Sequence, residues 1–181
     1  MKFEATSIPG AFVIDPERIA DERGFFARTW SDQELVARGL DARVVQCSIS
    51  FNVRAGTLRG MHYQLPPHAE TKLVRCTRGA ILDVIVDLRE ESPAFCRHVA
   101  VELSMDNQRM LYVPEGVAHG YQTLIDASEV CYQMSAAYAP THARGVRWND
   151  PRFGIAWPEV PERVMNERDR TYPDFVPGAP R

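Results

Sequence analysis

Two histidines stand where an imidazole can do chemistry. His62 closes the run Arg59-Gly60-Met61-His62, with Tyr63-Gln64 after it, and His119 ends Pro114-Glu115-Gly116-Val117-Ala118-His119. An imidazole titrates near neutral pH, so it can take up and return a proton under ordinary conditions. Lys72, Asp83 and Asp87 interrupt otherwise apolar runs, and a charge in such a run must be solvated or paired. Period-two alternation puts Asp83 and Asp87 on one strand face with Ile81 and Ile85. A divalent metal would ask for three or four N/O ligands. His68 and Glu70 are the nominees beside His62, but Pro66-Pro67 precede them and place them in a loop, so no metal site is expected. Acid–base chemistry remains. Taken singly, each residue also has a plain structural reading: a turn followed by a satisfied histidine, solvent-facing charges on an antiparallel sheet, and Tyr132 packing alongside Val130 and Met134.

The rest of the chain supplies the elements that must position these groups. With 181 residues, 45% hydrophobic and 25% charged, it has the make-up of one ordinary globular domain. We expect a core over about 42–137, an N-terminal segment 1–41 and a C-terminal arm 138–181. A formal net charge of -3 argues against a surface devoted to nucleic acid, which needs clustered Lys and Arg. No stretch nears the ~20 apolar residues of a membrane helix, and residues 1–10 lack the charged-then-apolar order of a signal peptide. A cytoplasmic protein with no nucleic-acid or membrane partner is expected. Cys47, Cys76, Cys96 and Cys131 are spread singly, which suggests reduced thiols in or near the core.

Ser31-Asp32-Gln33-Glu34 has capping-box form and the apolar residues after it stop at Gly39, which predicts one short helix. From residue 42 onward the runs 72–77, 81–88, 99–103, 110–113, 120–124 and 130–134 read as strands. Turn signals separate them at roughly the 8–12-residue spacing of sandwiches and barrels. No helical crossovers intervene, which excludes a parallel α/β sheet. After Tyr138 the chain is rich in Pro, Trp and Arg and reads as an arm packed back over the barrel.

The two histidine segments resemble the paired motifs of cupins, small jelly-roll barrels. A wider set resembles one family throughout: Asp21 to Phe26, Leu58 to Gln64, Lys72 to Arg75, Leu82 to Arg89, Pro114 to Gly120, Tyr132, Asp150-Pro151 and Trp157-Pro158. Over roughly residues 1 to 175 their order and spacing are similar to those of dTDP-4-dehydrorhamnose 3,5-epimerases. The resemblance implies an all-β, cupin-type antiparallel jelly roll with a few short helices and a C-terminal arm. It implies a homodimer that needs no cofactor and inverts C3, C5 or both next to the C4 ketone of a dTDP-linked 4-keto-6-deoxyhexose. His62 would be the base, Asp169 in Glu167-Arg168-Asp169 its carboxylate, Lys72 the cation on the C4 oxygen and Tyr132 the acid on the opposite ring face. Arg23 and Arg59 would bind the pyrophosphate, with His119 and Arg168 as further polar contacts, and Tyr138 and Phe26 would stack on the base. Gln46, Ser48 and Asp83 complete the expected substrate-binding set. His62, Lys72, His119 and Tyr132 should point into one cavity, and Phe3 to Ile8 could cross to the neighbouring subunit.

The chain departs from the family pattern at Gln46-Cys47-Ser48, where Q-x-N is common, and at Arg28, Gln133 and Ala143, which replace Glu, Lys and Glu. These positions surround the nucleotide or the sugar periphery, so the reaction class is better defined than the substrate. Two other readings compete. A nucleotide-sugar ketoisomerase on the same fold typically lacks the stretch from Trp157 to Asp169. A non-catalytic sugar-binding cupin would be expected to lose His62 or Tyr132, and both are present.

Overall fold

The computed structural model describes residues 1–178, so positions 179–181 of the expected arm lie outside the described residues. The N-terminal part holds strands β1 (Lys2–Ala5), β2 (Phe12–Asp15), β3 (Arg18–Asp21) and β4 (Gly24–Ala27) and the helix α1 (Asp32–Val36). The central part runs β5 (Gln46–Asn52), β6 (Leu58–Gln64), β7 (Lys72–Arg78), β8 (Ala80–Asp87), β9 (His98–Ser104), β10 (Met110–Val113), β11 (Val117–Thr123) and β12 (Ser128–Met134). The arm carries β13 (Ala143–Gly145) and the single-turn α2 (Glu167–Arg170).

Helix α1 begins as its sequence predicts, with the Ser31 hydroxyl accepting the Glu34 N–H at 3.4 Å. The reciprocal half of the capping box is not made, because the Glu34 carboxylate takes the Met1 ammonium at 3.0 Å instead. Gly39 follows at φ 70°, where a glycine ends a helix at no steric cost.

Two antiparallel sheets face each other as a jelly roll, in the orders β1-β2-β10-β7-β12-β5 and β13-β6-β11-β8-β9. Strand β8 shows how three apolar layers arise. Ile81 and Ile85 pack between the sheets with Val74, Leu111 and Val130, while Val84 and Val86 point the other way and meet Val146, Phe153 and Phe175 of the arm. On the far side, Leu73, Met110 and Tyr112 are covered by Leu35 of α1 and the N-terminal segment. Ladder pairing extends β11 three residues ahead of the expected 120–124 strand, because β6 and β8 pair with it on both sides. His119 therefore sits inside a central strand, not in a turn. Cys76 is buried, and burial pushes its thiol up to about 11. Cys47, expected in or near the core, is exposed on edge strand β5. Among the described residues no helix is long and apolar enough to cross a membrane.

One irregularity matters for function. His119 pairs with His62 but Tyr121 pairs with Arg59, so two steps along β11 match three along β6. Such a bulge re-phases the strand. It turns Arg59 and His62, which strict alternation would put on opposite faces, toward the same cavity. Gly60 makes this possible: its φ is 125°, and a Cβ there would lie 2.5 Å from the Gly120 Cα.

Asp87 is fully buried and paired, with Arg89 bonding both its oxygens and Ser92 donating at 2.6 Å. Burial alone would push the carboxyl up, but these donors outweigh it and hold it below the usual carboxylate range. A depressed carboxylate stabilises the fold fully above its unfolded-state pKa near 4, and that contribution drains away as pH falls through the lower folded value. Asp87→Asn should therefore cost about 2 kcal/mol at pH 7 and flatten the acid side of the stability profile. Melting curves from pH 7 down to pH 3 test this, and an acid limb as steep as that of the parent protein would count against it.

Candidate active site

His62 and Tyr132 face each other across a cavity of about 290 Å³ between the two sheets. His62 comes from β6 in the five-stranded sheet, and Lys72 and Tyr132 come from β7 and β12 in the six-stranded sheet. His119 and Arg59 share the His62 side. The expectation that His62, Lys72, His119 and Tyr132 converge thus matches the geometry. Two larger hollows, of about 430 and 610 Å³, contain none of the four.

Each histidine has its own carboxylate. His62 Nε2 lies 2.7 Å from Asp169 Oδ1, while Asp169 Oδ2 accepts the Gly60 N–H at 3.0 Å. Helix α2 delivers Asp169, whose own N–H is taken by the N-cap residue Asn166 at 2.7 Å. The Asp169 side chain is 1% exposed, whereas that of His62 is 40% exposed. Burial alone would push the Asp169 carboxyl up, but the His62 hydrogen bond and charge, the Gly60 N–H and the Arg168 charge together hold it below its ordinary value. It is an ionised partner at neutral pH.

The second pair is more deeply buried. His119 Nε2 lies 2.7 Å from Asp83 Oδ1, with side-chain exposures of 5% and 0%. Burial pushes the Asp83 carboxyl up, and the charges of His119 and Lys72 offset this only in part. Asp83, expected to bind substrate, stands behind His119 and does not line the cavity. Full burial of Asp83 and Asp87 also rules out the solvent-facing reading of both.

On the facing wall, burial pushes the Tyr132 phenol well above its usual range, and the Tyr121 phenol adds to the effect. Tyr132 therefore stays protonated at neutral pH. Lys72 Nζ donates to the His62 carbonyl at 3.1 Å and forms an ion pair with Glu70 at 3.1 Å. Arg59 is held by Asn52, Nε to Oδ1 at 2.9 Å, and continues into a second hollow that also carries Arg54. The arrangement sets an imidazole, an ammonium and a protonated phenol around one small volume, group types that can serve proton transfer across a ring.

Other expected residues lie farther out. Ser48 lines the cavity, and Gln46 beside it bonds Ser48 and accepts the Tyr138 N–H. Arg168 reaches the hydroxyls of Tyr138, at 3.5 Å, and Tyr172, at 2.6 Å. Arg23 and Phe26 sit on the exposed β3–β4 hairpin, where Arg23 pairs with Asp21 and Phe26 is 67% exposed. Neither lines the cavity of its own chain. Sequence reasoning missed Ser50, Tyr121 and Met134 in the wall. Each is two residues from a nominated one, so extending the alternation from Ser48, His119 and Tyr132 would have found them. Of the two metal nominees, Glu70 pairs with Lys72 and His68 packs against the tilted ring of His142. Among the described residues no three His, Cys, Asp or Glu side chains are placed to hold a metal ion.

The family model described as dTDP-4-dehydrorhamnose 3,5-epimerase matches residues 5–176. The chain belongs to this family. A family member from Sinorhizobium fredii is 40% identical over 175 residues, covering 97% of this chain and 90% of its own. The Bacillus anthracis enzyme, solved with TDP and PPi bound, superposes with a TM-score of 0.92 at 40% identity, covering 96% of this chain and 99% of its own. A 3′-monoepimerase of Streptomyces bikiniensis, solved with dTDP-quinovose, superposes at 0.86 and 34% identity, covering 93% and 85%. This protein is accordingly an isomerase of the epimerase type.

Asp169 pairs with His62 without itself lining the cavity, so if His62 is the base, loss of Asp169 should appear in turnover. Asp169→Asn should lower kcat by roughly 100-fold or more and leave KM within a few-fold. A rise in KM at unchanged kcat, measured by steady-state kinetics, would make Asp169 a binding residue instead.

Proposed function

We propose that the protein inverts C3, C5 or both of a dTDP-linked 4-keto-6-deoxyhexose, in the cytoplasm and without a cofactor, through the groups that line the central cavity. The observation that carries this reading is the His62–Asp169 pair set across the cavity from a protonated Tyr132. A C–H next to the C4 ketone is acidified by the carbonyl, and the ring nitrogen of His62 not held by Asp169 takes the proton. Ionised Asp169 stabilises the imidazolium that forms. Negative charge gathers on the C4 oxygen, where the Lys72 ammonium meets it. Tyr132 then returns a proton from the opposite wall, which inverts the centre.

The diphosphate lies toward Arg59 and Arg54, whose guanidinium forks suit phosphate oxygens. Tyr138 and Arg168 frame the opening toward the nucleotide. Of the departures noted in sequence, Arg28 is engaged with Glu34 at 3.8 Å, and Gln133 alternates with the cavity-lining Tyr132 and Met134 and so faces away. Neither alters the proton-transfer groups.

The working form is a homodimer. Ile49 and Phe51 on the outer face of β5, with Val45 and Val53 just beyond its ends, have exposures of 47–71%, and Ile19, Phe25 and Phe26 are exposed on the hairpin. An edge strand with an apolar outer face asks to be covered. Phe3 to Ile8 lies on its own chain, with β1 paired to β2 and Ile8 in the core. The hairpin is therefore the better candidate to reach a neighbour, and it carries Arg23 and Phe26 with it.

Incubation with dTDP-4-keto-6-deoxyglucose in D2O, read by NMR, should place deuterium at C3, C5 or both with inverted configuration. Deuterium at one centre only would mark a monoepimerase, and migration of the keto group would identify a ketoisomerase instead. His62→Ala should abolish exchange. Tyr132→Phe should still exchange deuterium with little inversion, since the enolate forms but loses its opposite-face donor; equal loss of both signals would reduce Tyr132 to a positioning group. Light scattering should give about twice the 20.5 kDa chain mass, and a monomer at micromolar concentration would refute the dimer.

A further inference from the structure

Glu70 takes no part in the reaction as drawn above, yet its setting is costly. It follows the Pro66-Pro67 turn, two residues before Lys72, and its side chain is only 6% exposed. Oε1 lies 3.1 Å from Lys72 Nζ, while Oε2 is buried without a hydrogen-bond partner. A carboxylate is kept in such a place only if its charge is answered, and Lys72 answers it. Glu70 does not line the cavity, whereas Lys72 does.

The arrangement constrains the ammonium. Lysine has three N–H donors on a long flexible stem, so an untethered ammonium samples many directions. Here one donor is used by the His62 carbonyl at 3.1 Å and a second side faces Glu70. One donor is left for the cavity. The His62 carbonyl belongs to β6 and Lys72 to β7, so the same contact ties the cation to the strand that carries the base.

We propose that Glu70 is a positioning residue that locks the Lys72 ammonium so that its remaining N–H meets the C4 oxygen as negative charge develops there. The inference rests on the reading of Lys72 as the cation that stabilises the enolate. Glu70 touches neither substrate nor reacting atoms and acts only through Lys72. A preorganised donor stabilises developing charge far better than a mobile one, because it need not reorganise during the reaction.

The test is a double-mutant cycle of Glu70→Gln and Lys72→Met, with kcat, KM, deuterium exchange and thermal melting measured for each variant. Glu70→Gln keeps the shape and one acceptor but removes the charge. It should lower kcat and exchange about tenfold while leaving KM and the melting temperature close to the parent values. Glu70→Ala should lose more than Glu70→Gln. Lys72→Met should lose about 100-fold, and adding Glu70→Gln to it should change nothing further. Parent-like kcat in Glu70→Gln would overturn the proposal. So would losses that multiply in the double variant, because Glu70 would then act on the fold or on another group. Parent-like activity in Lys72→Met would instead bring down the reading of Lys72 itself, which separates the two failures.

Discussion

The Asp169 carboxylate is the constraint on which the site depends. One of its oxygens holds the His62 ring and the other holds the Gly60 N–H, so a single buried anion fixes both the imidazole and the backbone that carries it. Burying a carboxylate is unfavourable unless nearly every lone pair is answered, and here a ring nitrogen, a backbone amide and the charge of Arg168 answer it. That in turn requires the arm to be in place. Val146, Phe153 and Phe175 bury the outer face of the five-stranded sheet, and Asn166 caps the short turn that aims the carboxylate inward. Apolar packing far from the cavity thus sets the geometry of the His62 imidazole within it.

Two His–Asp pairs with almost the same separation do different work because their surroundings differ. Both histidines line the cavity, but His62 is far more exposed than His119 and has an ionised carboxylate behind it, whereas the carboxyl behind His119 is pushed up by burial. Pairs of titratable groups whose environments drive them apart are how a single cavity separates its roles. Tyr132 extends the same logic, since burial keeps its proton available to be given rather than lost to solvent.

Much of this was legible in the sequence, and the misses have physical causes. The cap at Ser31 and the apolar strand runs follow local rules of period and hydrogen bonding, so they could be read directly. Asp83 and Asp87 showed themselves as charges in apolar strands, but only three-dimensional partners decide between solvation and pairing. Strand β5 was overlooked because its inward face is built of Gln46, Ser48 and Ser50, which line polar space rather than core. Cys47 fell on the wrong side for the same reason. The bulge at Gly60 has no local signature, since it depends on Gly120 of another strand lying close enough to exclude a Cβ. Glu70 was weighed as a metal ligand because its ion pair with Lys72 is invisible until the chain has passed the Pro66-Pro67 turn.

The arm also has a consequence in time. Every strand of the two facing sheets has been made by Gly145, yet the carboxylate that pairs with His62 arrives 24 residues later, at Asp169. During synthesis from the N-terminus, the strands are therefore made before the residue that pairs with His62. The His62–Asp169 pair is a late product of assembly, made only when the arm has docked.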